Sequence, residues 1–235
     1  MRIVTNETHI NSRTRWGERA PLAGLLLLAA ATLLIFWRPD LIWATTVVVT
    51  LGFIVSLIGS YLGDRYVGPL AHHKKVPEAL KGLDNDYALL MYKTPFPFVL
   101  VSPGGVTVIT VKSQGGEIAY VKGRWKHREK LGWLRRFAGQ ESLGRPDRLA
   151  QAEADDFQNF LGKRMPEGVD VPVRPAILFI NPNIQLEADD SPVPAFISAH
   201  FKHWLRKEGR LPKLGSEAQQ QLAVALKLEE AVADE

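Results

Sequence analysis

The sequence contains no cysteine among its 235 residues. A disulfide scaffold, a zinc site built on thiolates and a cysteine nucleophile are therefore excluded. The chain also lacks a Gly-Lys-Ser/Thr phosphate loop and a serine in a nucleophile-elbow setting. It has no internal repeat and no low-complexity linker. Its length and its 46% hydrophobic content allow one domain with a sizeable core, plus an appendage.

Charged side chains are missing from two long apolar runs, residues 21–37 and 41–62, which are joined by Arg38-Pro39-Asp40. As helices the runs reach ~26 and ~33 Å, against about 30 Å for the hydrocarbon core of a bilayer. Because three residues join them, we predict an antiparallel transmembrane hairpin over 20–63. A cleaved signal peptide is the alternative, but apolar sequence continues past its cleavage-like alanines, residues 29–31, and a second run follows.

The basic residues around the hairpin predict its orientation. Four arginines precede it and three basic residues follow it, whereas Arg38 alone lies between the runs. The positive-inside rule then puts both termini in the cytoplasm, here at a bacterial-type plasma membrane. The basic residues that follow are expected to contact lipid headgroups; they are Arg65, Lys74 and Lys75. Gly52, Ser56 and Ser60 recur every four residues, which favours close packing within the hairpin over dimerisation.

These features predict four segments: an N-terminal tail over 1–19, the hairpin over 20–63, a basic linker over 64–75 and a cytoplasmic domain over 76–235. The domain is expected to be α+β (mixed α/β), with a central, mainly antiparallel sheet flanked by helices. Short β-rich runs predict an antiparallel meander with hairpin turns at the glycine pairs 104–105 and 115–116. These runs are 87–92, 98–101, 105–112 and 117–125.

A helix is predicted to follow the meander, from Pro146 to Gly162, and to lead into an apolar strand over 174–181. Its expected buried residues are Leu149, Ala152, Phe157, Phe160 and Leu161.

Lys112 closes the long apolar strand of this meander. Alternation along a strand puts Thr110 and Lys112 on one face, with Val106 and Val108. The simplest interpretation is an exposed lysine at a strand end. The other is a lysine that contacts a phosphate group.

The domain resembles the nuclease-related domain (NERD) family of the restriction-endonuclease-like superfamily. The resemblance lies in "FVLVSPGGVTVITVKSQGGEI" (98–118), "GRW" (123–125) and "VPVRPAILFI" (171–180), and it covers about 76–205. It implies a restriction-endonuclease-like fold. In active members of the family an aspartate opens the second strand and a glutamate stands two residues before the lysine. Together they hold Mg²⁺ for phosphodiester cleavage.

The acidic positions of that motif are occupied by other residues in this chain. The lysine matches Lys112, but the glutamate position is Thr110 and the aspartate position is about Pro97. Neither residue supplies a carboxylate, and the nearby acids, Asp84, Asp86 and Glu117, are poor substitutes in sequence. We therefore expect no metal site and no cofactor.

The sequence leaves three functions open. The favoured one is a membrane-anchored pseudoenzyme that serves binding or scaffolding, with an unidentified protein partner. An active membrane-tethered, Mg²⁺-dependent nuclease with relocated acids is the first alternative. A structural membrane protein with no nucleic-acid role is the second.

One basic stretch, residues 122–136, carries seven Lys or Arg and a single acid. We predict that it either contacts anionic lipid or nucleic acid, or folds back onto its own domain with its arginines in solvent. The contact residues we expect are Arg128, Lys130, Trp133, Arg135 and Arg136.

Overall fold

The structure, a computed structural model, describes residues 1–129, 141–166, 168–207 and 211–228. The chain divides into two compact units. The first, which we call the sheet unit, contains residues 1–6, 73–129 and the chain from 143 onward. The second, the hairpin unit, contains residues 7–72 and, among the described residues, Glu141 and Ser142.

The hairpin unit is built from two long helices, α1 (Glu7–Trp37) and α2 (Ile42–Tyr66), joined by a short 3₁₀ turn, Pro39–Leu41. Both helices are long and apolar enough to cross a membrane, and only 17% and 11% of their most apolar windows are buried. A core helix of a soluble protein would hide most of such a surface. The two helices therefore suggest membrane association. Arg38 and Asp40 pair at the turn, at 3.0 Å.

Small residues hold α1 and α2 together. On each helix, four of the five buried positions recur every seven residues, which is the period of left-handed helix packing. They are Ile10, Gly17, Gly24 and Ala31 on α1, and Thr45, Gly52, Gly59 and Tyr66 on α2. A Cβ atom on Gly24 would lie 2.2 Å from Ser56 Oγ and 2.7 Å from the Gly52 carbonyl oxygen. The prediction that Gly52 and Ser56 pack within the hairpin is confirmed.

The sheet unit contains a six-stranded mixed sheet in the order β1-β2-β3-β4-β7-β9 and a three-stranded sheet in the order β6-β5-β8. The strands are β1 (Arg2–Thr5), β2 (Ala88–Met91), β3 (Phe98–Ser102), β4 (Gly105–Lys112), β5 (Gly116–Val121), β6 (Arg124–Arg128), β7 (Val173–Phe179), β8 (Ile184–Glu187) and β9 (Ala195–Ile197). The remaining helices among the described residues are α3 (His72–Leu80), α4 (Pro146–Gly162), α5 (Ser198–Arg206) and α6 (Ser216–Ala225). The α+β class is confirmed.

The expectation of a mainly antiparallel sheet is wrong. In the six-stranded sheet, β2-β3 and β3-β4 are antiparallel, whereas β1-β2, β4-β7 and β7-β9 are parallel. The fourth strand of the predicted meander leaves this sheet, because β7 occupies the other edge of β4 and β5 pairs with β6 and β8. Gly115 and Gly116 therefore make no hairpin turn. A Cβ on Gly115 would lie 2.9 Å from Asn181 Nδ2, so the chain needs glycine where it passes this side chain.

Within the predicted N-terminal tail, residues 2–5 form β1, which pairs in parallel with β2, and α1 begins at Glu7. The basic linker is shorter than predicted, because α2 runs to Tyr66 and α3 already begins at His72.

Two apolar layers cover the six-stranded sheet. On one face, α3 and α5 pack with Leu89, Leu100, Ile109 and Leu178. On the other, α4 packs on β4 and β7 through Ala150, Ala154, Phe157 and Leu161. Helix α4 has the predicted bounds, but Leu149 is 41% exposed and Ala152 is also exposed. Ala150 and Ala154 join Phe157 and Leu161 on the buried face instead.

The hairpin packing is tested by Gly24→Ala. The added methyl group meets the backbone of α2, so we expect a loss of about 1–3 kcal/mol of stability from overpacking. The matched control is Gly63→Ala, where the new Cβ meets only the Gly17 carbonyl oxygen, at 3.8 Å. Its better helix propensity should leave stability unchanged or raise it by up to about 1 kcal/mol. Unfolding in detergent measures both, and equal effects of the two variants contradict this packing.

Candidate functional site

The site predicted from the sequence lies at the C-terminal end of β4. The side chains of Val106 and Val108 pack against α4, whereas Ile109 packs in the opposite layer. The predicted alternation along β4 is therefore confirmed. Lys112 is 4% exposed, so the interpretation as an exposed strand-end lysine is wrong. Thr110, two residues earlier, is buried to the same extent.

An acidic side chain reaches this strand from helix α4. The hydroxyl of Thr110 donates a hydrogen bond to Glu153 Oε2. Glu153 is half-buried and lies on the same side of α4 as Ala150 and Phe157, three residues after one and four before the other. The hydroxyl of Thr110 on β4 is thus bonded to a carboxylate that comes from a different element.

A second acid, Asp147, is buried in the first turn of α4. Its Oδ2 atom lies 3.6 Å from Arg145 Nη2. Because Ala150 packs near Phe179, at the end of β7, this turn of α4 lies over the C-terminal ends of the parallel strands. Sequence reasoning missed both acids. The available signal was an acidic residue at three- or four-residue spacing from the alanines of a buried helix face.

Main-chain and amide contacts hold the end of β4 in place. The Ile180 amide donates to the Lys112 carbonyl oxygen at 2.9 Å, and Asn181 Nδ2 donates to the Ser113 carbonyl oxygen at the same distance. Asn181 Oδ1 accepts the amide of Asn183, and the Asn183 carbonyl oxygen accepts the amide of Gly116. The two residues that follow β7 therefore hydrogen-bond to Lys112 and Ser113, and these bonds hold the end of β4 in place.

The residues present do not fit a magnesium site. Pro97 lies one residue before β3, and continuing the β3–β4 register by two residues puts it opposite Thr110. Pro97 and Thr110 thus lie opposite each other on neighbouring strands, and neither carries a carboxylate. The substitute acids have other neighbours: Asp84 lies 3.9 Å from Arg206, Glu117 lies 3.6 Å from Arg128, and Asp86 lines a cavity together with Arg206. Within the described parts of the chain, no group of three or more His, Asp or Glu side chains is arranged to hold a metal ion.

The basic contact residues are described only in part. Arg124, Lys126 and Arg128 alternate along β6 and are exposed, while Trp125 and His127 are more buried. The hairpin before β6 turns at Lys122 and Gly123, both with positive φ, as a type I′ turn requires. The remaining predicted contacts lie outside the described residues. They are Lys130, Trp133, Arg135 and Arg136.

Two of the three predicted juxtamembrane cations form ion pairs with acidic residues of the same chain. Arg65 Nη2 lies 2.8 Å from Glu141 Oε2 and its guanidinium stacks on Tyr61, so it is neutralised within the hairpin unit. Lys75 pairs with Glu78 at 2.7 Å in the first half of α3. Lys74 is exposed on the same helix. Lys74 therefore keeps the position expected for headgroup contact.

No protein-family model matches the chain, and neither the curated proteins nor the solved structures contain a significant match.

The variant Thr110→Glu tests whether the lack of a carboxylate at this position is what prevents metal binding. This change adds an acid beside Glu153, so repulsion and burial should destabilise the fold, and a divalent cation should restore stability. At a Mn²⁺ concentration one hundred times its Kd, the recovery should be about 2.7 kcal/mol.

Thermal unfolding with and without Mn²⁺ measures this recovery. Thr110→Gln is the matched control, because it has the same shape without the charge and should not respond to the metal. A response of wild type or of Thr110→Gln equal to that of Thr110→Glu contradicts the interpretation.

Proposed function

We propose that this chain is a membrane-anchored protein whose sheet unit is a NERD-like domain that has lost metal-dependent nuclease chemistry and serves binding or scaffolding. One observation carries the proposal. At the position where active members of the resembled family have glutamate, Thr110 supplies a hydroxyl that is bonded to Glu153, beside the buried Lys112. A single half-buried carboxylate bonded to a hydroxyl is a poor ligand set for Mg²⁺, which requires several oxygen ligands in near-octahedral geometry.

The order of elements supports the restriction-endonuclease-like fold. Helix α3 precedes the antiparallel strands β2, β3 and β4, and the last of these ends in Lys112. Helix α4 then leads into β7, which runs parallel to β4. This is the helix, meander, helix and apolar strand that the resemblance implies.

The pairing of β1 with β2 supports the proposed topology. These strands lie on either side of the hairpin in the chain, yet they are neighbours in one sheet. A chain that enters and leaves the hairpin from a single domain must have both flanks on the same side of a membrane. Arg38, the one basic residue between the runs, is already paired with Asp40. The positive-inside rule therefore favours a cytoplasmic sheet unit in a bacterial-type plasma membrane.

The loss of nuclease chemistry is tested with the purified full-length protein in detergent. It is incubated with DNA and with RNA in the presence of Mg²⁺ or Mn²⁺, alongside Lys112→Ala. We expect no cleavage above the level of that variant, because in the described parts of the chain no set of carboxylates is arranged to hold the metal. Cleavage by wild type that Lys112→Ala abolishes contradicts the proposal.

The second candidate function is a Mg²⁺-dependent nuclease with a relocated acid, and Glu153 is the observation that favours it. The same assay separates the two candidates with Glu153→Gln. Its matched control is Asp156→Asn, which neutralises an exposed acid on the same helix. If wild type cleaves, and Glu153→Gln alone of this pair is inactive, the carboxylate of Glu153 takes part in the chemistry and the second candidate replaces the first.

For the binding role we propose that the β6 cationic face, defined as Lys122, Arg124, Lys126 and Arg128, contacts anionic lipid headgroups. Arg128 is offset by Glu117, but Arg124 and Lys126 have no ion-pair partner among the described residues. Each basic residue near an anionic surface contributes about 1 kcal/mol. The membrane anchor raises the local concentration of lipid, so this modest attraction is sufficient.

Hydrogen exchange of β6 in nanodiscs tests the lipid contact. With anionic lipid, exchange should be slower by about tenfold than with zwitterionic lipid, and 0.5 M salt should remove the difference. Arg124→Gln combined with Lys126→Gln should also remove it. Arg148→Gln combined with Lys163→Gln, which removes two exposed charges on α4 and at its end, should not.

Equal exchange in both lipids contradicts the lipid contact. In that case, slowing by added DNA in zwitterionic nanodiscs would identify nucleic acid as the ligand. No slowing by either leaves the structural membrane protein as the remaining function.

A further inference from the structure

A half-buried arginine lies at the opposite end of the β4–β7 pair from the candidate site. Arg174 is opposite Thr107 in the parallel register, whereas Lys112 is opposite Phe179. Five residues separate the two positions, which is about 16 Å along a strand. Arg174 also lies on the other face of the sheet, where its guanidinium carbon is 4.5 Å from the ring centre of Trp204 in α5. It is therefore a feature separate from the Thr110–Glu153 pair.

The guanidinium of Arg174 contacts a hydroxyl group and an aromatic ring, both of which are neutral. Its Nε atom donates to Thr107 Oγ1 at 3.0 Å. Burial lowers the pKa of the Arg174 guanidinium, and Tyr87 opposes this only in part. Among the described residues no carboxylate lies within ion-pair distance of Arg174, and its two terminal nitrogens have no hydrogen-bond acceptor. A guanidinium with a desolvated stem and two unused NH₂ groups is suited to bind a planar or tetrahedral oxyanion in two-point fashion.

Arg174 belongs to the lining of a cavity of about 300 Å³. Among the described residues the lining also includes Arg206 and Lys213, which give three cations against two acids, Asp84 and Asp86. Asp84 lies 3.9 Å from Arg206 and so offsets that cation rather than Arg174. The cavity thus has an excess of positive charge, and its volume is at the lower end of the range for small-molecule sites.

The chain near Lys213 is held against the turn between β3 and β4. The amide of Leu214 donates to the Pro103 carbonyl oxygen at 2.9 Å. A Cβ on Gly104 would lie 2.6 Å from the carbonyl oxygens of Leu211 and Pro212, so glycine is required for this close approach. These contacts hold the part of the cavity lining around Gly104 and Leu211 in place before any ligand binds, which reduces the entropy lost on binding.

We propose that this cavity binds a compact oxyanion, the carboxylate or phosphate group of a small molecule, through the terminal nitrogens of Arg174 with Lys213 and Arg206 at the mouth. The site does not depend on the proposed loss of nuclease chemistry, because it lies at the other end of the strands and on the other face of the sheet. The sheet unit thus has a second candidate site, and its ligand is a small anion.

Isothermal titration of the full-length protein in detergent at constant ionic strength tests the site, with inorganic phosphate and succinate as separate probes. We expect saturable one-to-one binding of at least one probe. Binding of phosphate alone identifies a phosphate ligand, and binding of succinate alone identifies a carboxylate ligand. Arg174→Lys should weaken binding by about tenfold or more, because an ammonium cannot make the two-point contact.

Two further variants keep the test decisive. Lys213→Gln changes an exposed residue, so it should fold normally and weaken binding several-fold even if the Arg174 variant is unstable. Arg148→Gln removes an exposed arginine on α4 and should leave affinity unchanged. No saturable binding by wild type, or equal affinity in Lys213→Gln, Arg148→Gln and wild type, overturns the proposal.

Discussion

The parallel pairing of β4 with β7 over seven residues is the constraint on which the sheet unit depends. A parallel pair needs a crossover connection, and α4 lies in that connection and packs on both strands. Two alanines, Ala150 and Ala154, lie on the buried face of α4 and allow the helix to lie close to the sheet. This closeness brings Glu153 within hydrogen-bond distance of Thr110. The same pairing leaves Lys112 at one end of the strands and Arg174 at the other.

The two ends of this strand pair have opposite chemistry. At the C-terminal end, Glu153 of α4 is hydrogen-bonded to Thr110, two residues before the buried Lys112, so an acidic side chain reaches this end of the strands. At the N-terminal end, Arg174 has a hydroxyl and an indole ring as partners, so its positive charge is not neutralised locally. We therefore expect ligand binding at the end with uncompensated charge rather than at the end that resembles a nuclease motif.

Most elements were predictable because their signals are local. Period-two alternation predicted β4 with its observed bounds, and proline and glycine predicted the two ends of α4. The apolar runs predicted the hairpin helices, and the small residues predicted that they pack on each other. The N-terminal strand β1 was missed because a four-residue strand next to a long helix has too few residues to set a pattern. These residues form a strand by pairing with the edge of β2 that β3 does not occupy.

The sequence by itself determined which segments are apolar, which faces of β4 and α4 are buried in outline, and that Thr110 and Pro97 carry no carboxylate. These properties follow from side-chain chemistry and from the repeat of a single strand or helix. Only the tertiary structure decided that β5 leaves the main sheet, that Glu153 meets Thr110 and that Arg174 lines a cavity. Each of these depends on which distant segments pack together, and local periodicity carries no information about the partner.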